Sequence, residues 1–350
     1  RYLAIAGIAT AVVFGLGGIA LPIVVQRIYV DPSELKRESA YVDKNLALTR
    51  SAYALDNVVQ RESSGQAPLT AEVLSDEQET IDNIRLWDYR IAQSAFQQLQ
   101  SFVPYYSFQD VDVDKYESNG QIQQVLTSAR ELDQSGLPSA SQSWTNKRLI
   151  YTHGYAAVVA PVSQVSATGM PVMVVSNIPP NGTGQYAITQ PEIYFGDAPS
   201  SWVILNSNHD EFSGLDASND SMRYQGMPVG GIKLGNSFKR MILGSYLSDR
   251  NTVLSSAISG DSILVINRSV KDRLGALTPF LTLDDDPYLV ISDGKLYWIV
   301  DAFTTSDDYP AAQNWGGLNY IRNSVKIVVD AYTGDVSYYR TDSADPIADA

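Results

Sequence analysis

Residues 2–25 form one apolar run without a charged side chain, bounded by Arg1 and Arg27. At a rise of 1.5 Å per residue, a helix over this run extends roughly 36 Å, enough to cross the hydrocarbon core of a bilayer. Arg1 and the small residues Gly18-Ile19-Ala20 also suit a cleaved secretory signal. The run is longer than a signal's apolar core, so residues 1–27 are expected to be a transmembrane helix. Gly7, Ala11 and Gly15 fall four apart, with Gly18 one further turn along, leaving one face narrow enough for another helix backbone to approach. Ordinary glycine tolerance in membrane helices accounts for the same spacing without a partner.

Beyond Arg27 the pattern turns amphipathic. Asp31-Pro32-Ser33-Glu34 reads as a helix start, with Asp31 as cap, proline in the first turn and Glu34 at the capping-box position. Leu35, Tyr41, Val42, Leu46, Leu48, Tyr53 and Leu55 predict about six helical turns reaching Asn57. A polar loop follows at 60–68, a second cap at Ser75 ahead of Ile81 and Ile84, and a Gln-rich helix over 91–102. Residues 28–103 are therefore expected to be a mostly helical neck. From Pro104 the composition shifts to Tyr, Val, Ile and Thr punctuated by Gly, Asn and Pro, which predicts strands and turns. Strands are expected at 158–160, 172–175, 192–195 and 202–205, and helices at 236–247 and 269–277. Two hairpins complete the pattern, one at 288–299 turning on Asp293-Gly294 and one at 325–339 around Tyr332-Thr-Gly-Asp335. The expected fold class is α+β: a transmembrane helix over 1–27, the neck over 28–103, and a mixed, mainly antiparallel sheet domain over 104–350.

Charge narrows the function classes. Of 350 residues, 25 are basic and 39 acidic, a net −14, and the balance is −16 once residues 1–27 are set aside. Phosphate contacts need clustered Lys and Arg, so nucleic acid is not an expected partner. The chain has no Cys, which removes disulfides, thiol nucleophiles and thiolate metal sites. By the positive-inside rule alone, Arg27, Lys36 and Arg37 outweigh Arg1 and would hold the large domain in the cytoplasm.

Asp110, Asp112 and Asp114 alternate with Val111 and Val113, a spacing that on a strand puts three carboxylates on one face and the valines on the other. Such a face could bind Ca²⁺, but a solvated strand face is the favoured reading. It is not an EF-hand loop, because Lys115 and Gln121 occupy the positions that need glycine and glutamate. Asp284-Asp285-Asp286 before Pro287 is a second acidic cluster, read as a turn into the following strand in preference to a cation site. His153 is one of only two imidazoles and has no nucleophile elbow or metal-ligand spacing beside it. Gly226-Met-Pro-Val-Gly-Gly231 lacks the Gly-Lys-Ser/Thr of a phosphate cradle.

Several longer strings carry a resemblance. They include Asn83-Ile-Arg-Leu-Trp-Asp88, Phe108-x-Asp-Val-Asp-Val-Asp114, Ser128-Ala-Arg-Glu-Leu132, Tyr151-Thr-His-Gly-Tyr155 and Pro191-Glu-Ile-Tyr-Phe-Gly196. Asp286-Pro-Tyr-Leu-Val-Ile291, Asp293-Gly-Lys-Leu-Tyr-Trp-Ile299, Thr304-Thr-Ser-Asp307 with Tyr309-Pro310, and Asn319-Tyr-Ile-Arg-Asn-Ser-Val-Lys326 follow in order. Together they resemble the large prokaryotic integral membrane proteins of uncharacterised protein family (UPF) 0182. The resemblance implies that residues 2–25 are the last of several membrane helices, that the following domain faces outward, and that the family's chains extend beyond both ends of this one. It supplies no catalytic residues or cofactor.

The expected function is a membrane-anchored, extracytoplasmic assembly or envelope-interaction module in the cell membrane. Its partners would be the lipid bilayer and other membrane helices, in a homo-oligomer or a larger envelope complex. Tyrosine, favoured at interfaces, supplies 21 of the residues. The alternatives are an envelope hydrolase or cation-dependent enzyme drawing on the clustered carboxylates, with His153 and Asp307 as candidate catalytic residues, and a Ca²⁺-stabilised structural module.

Overall fold

The computed structural model describes residues 2–62, 65, 68–118, 120–198, 201–212 and 221–350. Part of the expected loop at 60–68, namely Ser63, Ser64, Gln66 and Ala67, lies outside the described residues. The contact pattern separates two compact units, residues 1–62 with 304–322, and residues 63–303 with 323–350. This grouping differs from the expected division at 27 and 103, because it follows contacts rather than composition.

The first unit is built on one helix, α1 (Tyr2–Ala52), long and apolar enough over its first half to cross a membrane. The helix start expected at Asp31 is not there. Winding changes instead, through π turns at Phe14–Ala20 and Gln26–Val30 and a 3₁₀ turn at Asp31–Ser33. These turns absorb Pro32, which has no N–H for an α-helical bond. Asp31 makes no cap and accepts from Gln26 Nε2 at 3.0 Å. The helix ends at Ala52 and is followed by a left-handed Ala54 at φ 54° and a short 3₁₀ turn at Leu55–Asn57. Its last turn grips the loop of residues 307–319. Thr49 Oγ1 accepts the Gln313 N–H at 2.9 Å, and the Tyr53 hydroxyl lies 3.0 Å from both Gln313 O and Leu318 O. Arg322 donates to Ser51 O, and Asn319 closes the loop with two 2.8 Å bonds to the Tyr309 backbone.

The second unit holds the sheets. Helix α2 (Tyr89–Gln100) starts on an Asp88 cap, whose Oδ1 accepts the Arg90 N–H at 2.9 Å. Strands β1 (Asp112–Ser118), β2 (Gln121–Ala129) and β3 (Ala157–Pro161) form an antiparallel sheet in that order. Both faces of β2 are covered: Leu126, with Val158 and Ala160 of β3, packs on Ala92 and Phe96 of α2. Val125 and Ala129, with Val159, pack on the opposite side against a second, larger sheet. Double coverage explains why β2 shows no clean polar–apolar alternation. It also places α2, expected in the neck, in the core of the strands that follow it.

Helix α3 (Val270–Leu277) starts on a Ser269 cap and buries Val270 and Leu274 in the same core. The larger sheet runs antiparallel through Thr282–Leu283, β5 (Lys295–Ser306), β6 (Tyr320–Asp330) and β7 (Val336–Arg340), with β4 (Tyr288–Ser292) also paired to β5. Asp293 and Gly294, at φ 50° and 77°, make the tight β4–β5 turn that their sequence predicts. A separate three-stranded sheet joins Val203–Leu205, Ile263–Val265 and Ile232–Lys233 beside helix Ser237–Tyr246. The strand expected at 172–175 reduces to one bridge between Val175 and Val159. The architecture is α+β with a mainly antiparallel sheet domain.

Candidate acidic site

Asp110 sits just before β1, and its Oδ1 accepts the Val111 N–H at 2.6 Å while Ser128 Oγ donates to its main-chain oxygen. Asp112 opens β1 opposite Thr127. Asp286 comes from the turn between Thr282–Leu283 and β4, a segment read from sequence as a plain turn. Chain reversal brings the three together: one carboxylate oxygen from each lies within 4.8 Å of the others. Asp114, the third member of the expected set, stays out of this triad. Its Oδ1 accepts the Lys115 N–H at 2.8 Å, and it lines a groove of about 390 Å³ beside Asp112, Asp286 and Tyr288. The strand geometry also departs from the expected two-faced pattern, since Val111 is buried but Val113 is 41% exposed and both β1 aspartates are half-buried.

Two further carboxylates line a small cavity with Asp110 and Asp112. Glu131 is 4% exposed and accepts the Ala198 N–H at 3.0 Å on Oε2. Asp197 faces Lys271 Nζ at 3.5 Å, and its buried Oδ1 has no hydrogen-bond partner among the described residues. The ion pair is thus a loose electrostatic contact without good hydrogen-bond geometry. Gathering this much like charge in a half-buried place favours the protonated forms. Burial, then Asp110 and Asp286, pushes the Asp112 carboxyl up to about 7. Asp286 is raised by burial and then by Asp110, and Asp197 by burial against the opposing pull of Lys271. Burial pushes Glu131 up to about 8, with the Ala198 N–H opposing.

Such a group has two stable states: partly protonated, or neutralised by a cation. Ca²⁺ takes hard oxygen ligands at 2.3–2.6 Å, so oxygens of one shell lie at most about 5 Å apart, and the triad's spacing fits one shell. Sequence reasoning singled out Asp110 and Asp112, noted the acidic run ending in Asp286 but preferred a turn there, and missed Glu131. The signal for Asp286 was the acidic run before Pro287, whose distance along the chain hides its nearness in space.

His153 is 2% exposed. Its Nδ1 pairs with Gly154 O at 2.9 Å, its ring packs 4.9 Å from the Tyr194 ring, and burial pulls its pKa down to about 4. Around it lies a buried polar network: Glu211 accepts from Thr152 Oγ1 at 2.5 Å and from the Tyr194 hydroxyl at 3.0 Å, and Arg268 donates Nε to Tyr194 O at 2.8 Å. Asp307 is exposed in the loop of the first unit, so the two candidate catalytic residues fall in different units. Gly7, Ala11, Gly15 and Gly18 all lie on α1; a Cβ added at Gly7 or Gly15 meets nothing within 4 Å, so nothing inside the chain requires glycine there.

A long apolar helix followed by a mainly antiparallel α+β domain with a carboxylate cluster is the class that fold and site define. The family model of Uncharacterised protein family (UPF0182) matches residues 1–350, and the chain belongs to that family. Similar relatives include a UPF0182 protein of Pelotomaculum thermopropionicum, 41% identical over 95% of this chain, and UPF0182 protein bll7333 of Bradyrhizobium diazoefficiens, 42% identical over 96%. A UPF0182 protein of Moorella thermoacetica is 39% identical over 94%. The chain spans 36% of the length of each of these curated relatives. No solved structure matches it.

Proposed function

We propose that the chain is a membrane-anchored, extracytoplasmic module of the cell envelope that works in assembly. The observation that carries this reading is the first half of α1. None of its most apolar 18-residue window is buried against the rest of the chain, and Leu3, Ile8, Val13, Phe14 and Leu16 are each more than 60% exposed. A continuous apolar surface of this size is stable in lipid and costly in water. The outward orientation rests on the family resemblance, which concerns a set of helices and so outweighs the charge count around one. The small-residue face of Gly7, Ala11, Gly15 and Gly18 supports self-association through the membrane. Native mass measurement in mild detergent tests the assembly role: an oligomer or a co-purifying partner is expected, and a strictly monomeric species without partners contradicts it.

A second reading, a Ca²⁺-stabilised module, is favoured by the Asp110–Asp112–Asp286 triad. It predicts that 1 mM Ca²⁺ raises the melting temperature by several degrees over a chelator control, on the order of 1–2 kcal/mol of ligand linkage, and that Asp112→Asn abolishes the rise. An unchanged melting temperature removes this reading.

A further inference from the structure

Arg273 on α3 is 7% exposed and has no carboxylate in salt-bridge contact among the described residues. Its guanidinium is held flat. Nε donates to Gly334 O at 2.8 Å, Nη2 donates to Val229 O at 2.9 Å, and Cζ lies over the Phe195 ring, 4.8 Å from its centroid. Nη1 has no acceptor among the described residues, and Arg273 lines a cleft of about 480 Å³. That volume lies in the range of small-ligand sites. Gly230, at φ 75°, borders the same wall; a Cβ there would stand 3.8 Å from both Nη atoms, so glycine leaves the guanidinium uncovered.

The rest of the cleft is mainly apolar, lined by Val229, Ile266, Ala276, Leu277, Val336 and the ring of Tyr338. Asp335 also lines it, and its Oδ1 accepts the Val336 N–H at 3.1 Å. Burial lowers the proton affinity of Arg273, with Asp335 and Tyr338 opposing this. An anion brought to Nη1 meets a rigid, partly desolvated donor, the setting in which a charge-assisted hydrogen bond is strong. A single Asp335 on the rim disfavours a polyanion and leaves room for a monoanion. The apolar walls require the remainder of the ligand to be hydrocarbon.

We infer that this cleft binds a monoanionic amphiphile, a carboxylate or a singly ionised phosphate ester with an aliphatic chain, its head on Arg273 Nη1 and its chain along Leu277, Ile266 and Val336. The class covers soluble acyl or alkyl anions and the head region of an anionic lipid.

The test is calorimetric titration of hexyl phosphate at pH 5.5, where an alkyl phosphate carries mainly one negative charge, into the full chain in phosphatidylcholine nanodiscs, with empty discs subtracted and with methyl phosphate and hexanol as head-only and chain-only controls. Hexyl phosphate is expected to bind at least tenfold more tightly than either control. Leu277→Glu, at a position 54% exposed, keeps the buried core and is expected to weaken binding at least tenfold. Arg273→Gln is expected to do the same, and its melting curve shows whether the fold has been kept. Repeating the titration in phosphatidylglycerol discs separates the sources: a lipid occupant competes and weakens hexyl phosphate, and a soluble one leaves it unchanged. Hexanol binding as tightly as hexyl phosphate, no hexyl phosphate binding at millimolar concentration, or wild-type affinity in Leu277→Glu overturns the inference.

Discussion

Three arginines are among the least exposed polar residues of the sheet domain, and each is held by main-chain carbonyls. Arg130 donates to Gln100 O at 2.9 Å and Tyr155 O at 3.0 Å, Arg268 to Tyr194 O and Ser201 O, and Arg273 to Gly334 O and Val229 O. None of this was legible in the sequence, because a carbonyl acceptor has no residue type to read. Glycine at close approaches was equally silent: a Cβ at Gly154 would meet Arg130 O at 2.6 Å, so this residue of the Tyr151-Thr-His-Gly-Tyr155 string is fixed by the packing of a neighbouring chain segment. His153, chosen from sequence for its imidazole, is 2% exposed, a burial that its residue type did not announce. Its pKa is lowered from 6.5 to about 4. A base whose folded pKa is depressed contributes stability that is fully present above pH 6.5 and is lost as pH falls through 6.5 toward 4, because the unfolded chain then binds the proton first. The loss is about 3 kcal/mol at most, from 1.36 kcal/mol per pKa unit. Denaturant melts at pH 7 and pH 4.5 are expected to show that acid loss in the parent and a smaller one in His153→Gln; an equal loss in both contradicts the assignment.

Elements with a local signal were legible and those defined by partners were not. Helix Ser237–Tyr246 and α3 start on Asn236 and Ser269, as cap chemistry predicts, and the β4–β5 hairpin turns on Asp293-Gly294. The supposed start at Asp31-Pro32 failed because capping residues can lie inside a helix whose winding adjusts around a proline. The carboxylate face was legible in part: Asp112 and Asp114 lie two apart on β1 and line one groove, while Asp110 precedes the strand and its nearness to Asp286 had no local signal. The grip of α1 on the loop of residues 307–319 also had no sequence signal, since its partners are more than 260 residues apart. Thr49→Val removes the acceptor of the Gln313 N–H, a bond worth about 1 kcal/mol. Hydrogen exchange at Gln313 is expected to quicken roughly fivefold, as follows from that energy when local opening controls exchange. Unchanged exchange there would mean that the contact does not hold the loop.

At the scale of the molecule, the net charge of −16 outside the first 27 residues gains a location. Part of it is concentrated where Asp110, Asp112, Asp286, Asp197 and Glu131 share one region, and protons or a cation must balance it. The absence of Cys, which at first only excluded chemistry, makes the chain a clean background for thiol labelling. The central claim is that α1 crosses the membrane and the sheet domain lies outside the cytoplasm. The most direct measurement is labelling of a single cysteine at an exposed loop position, Ala167→Cys, with a membrane-impermeant maleimide in the native membrane. The account predicts full labelling in intact cells with the protein retained in the membrane after carbonate washing; labelling only after lysis, or release by carbonate, contradicts it.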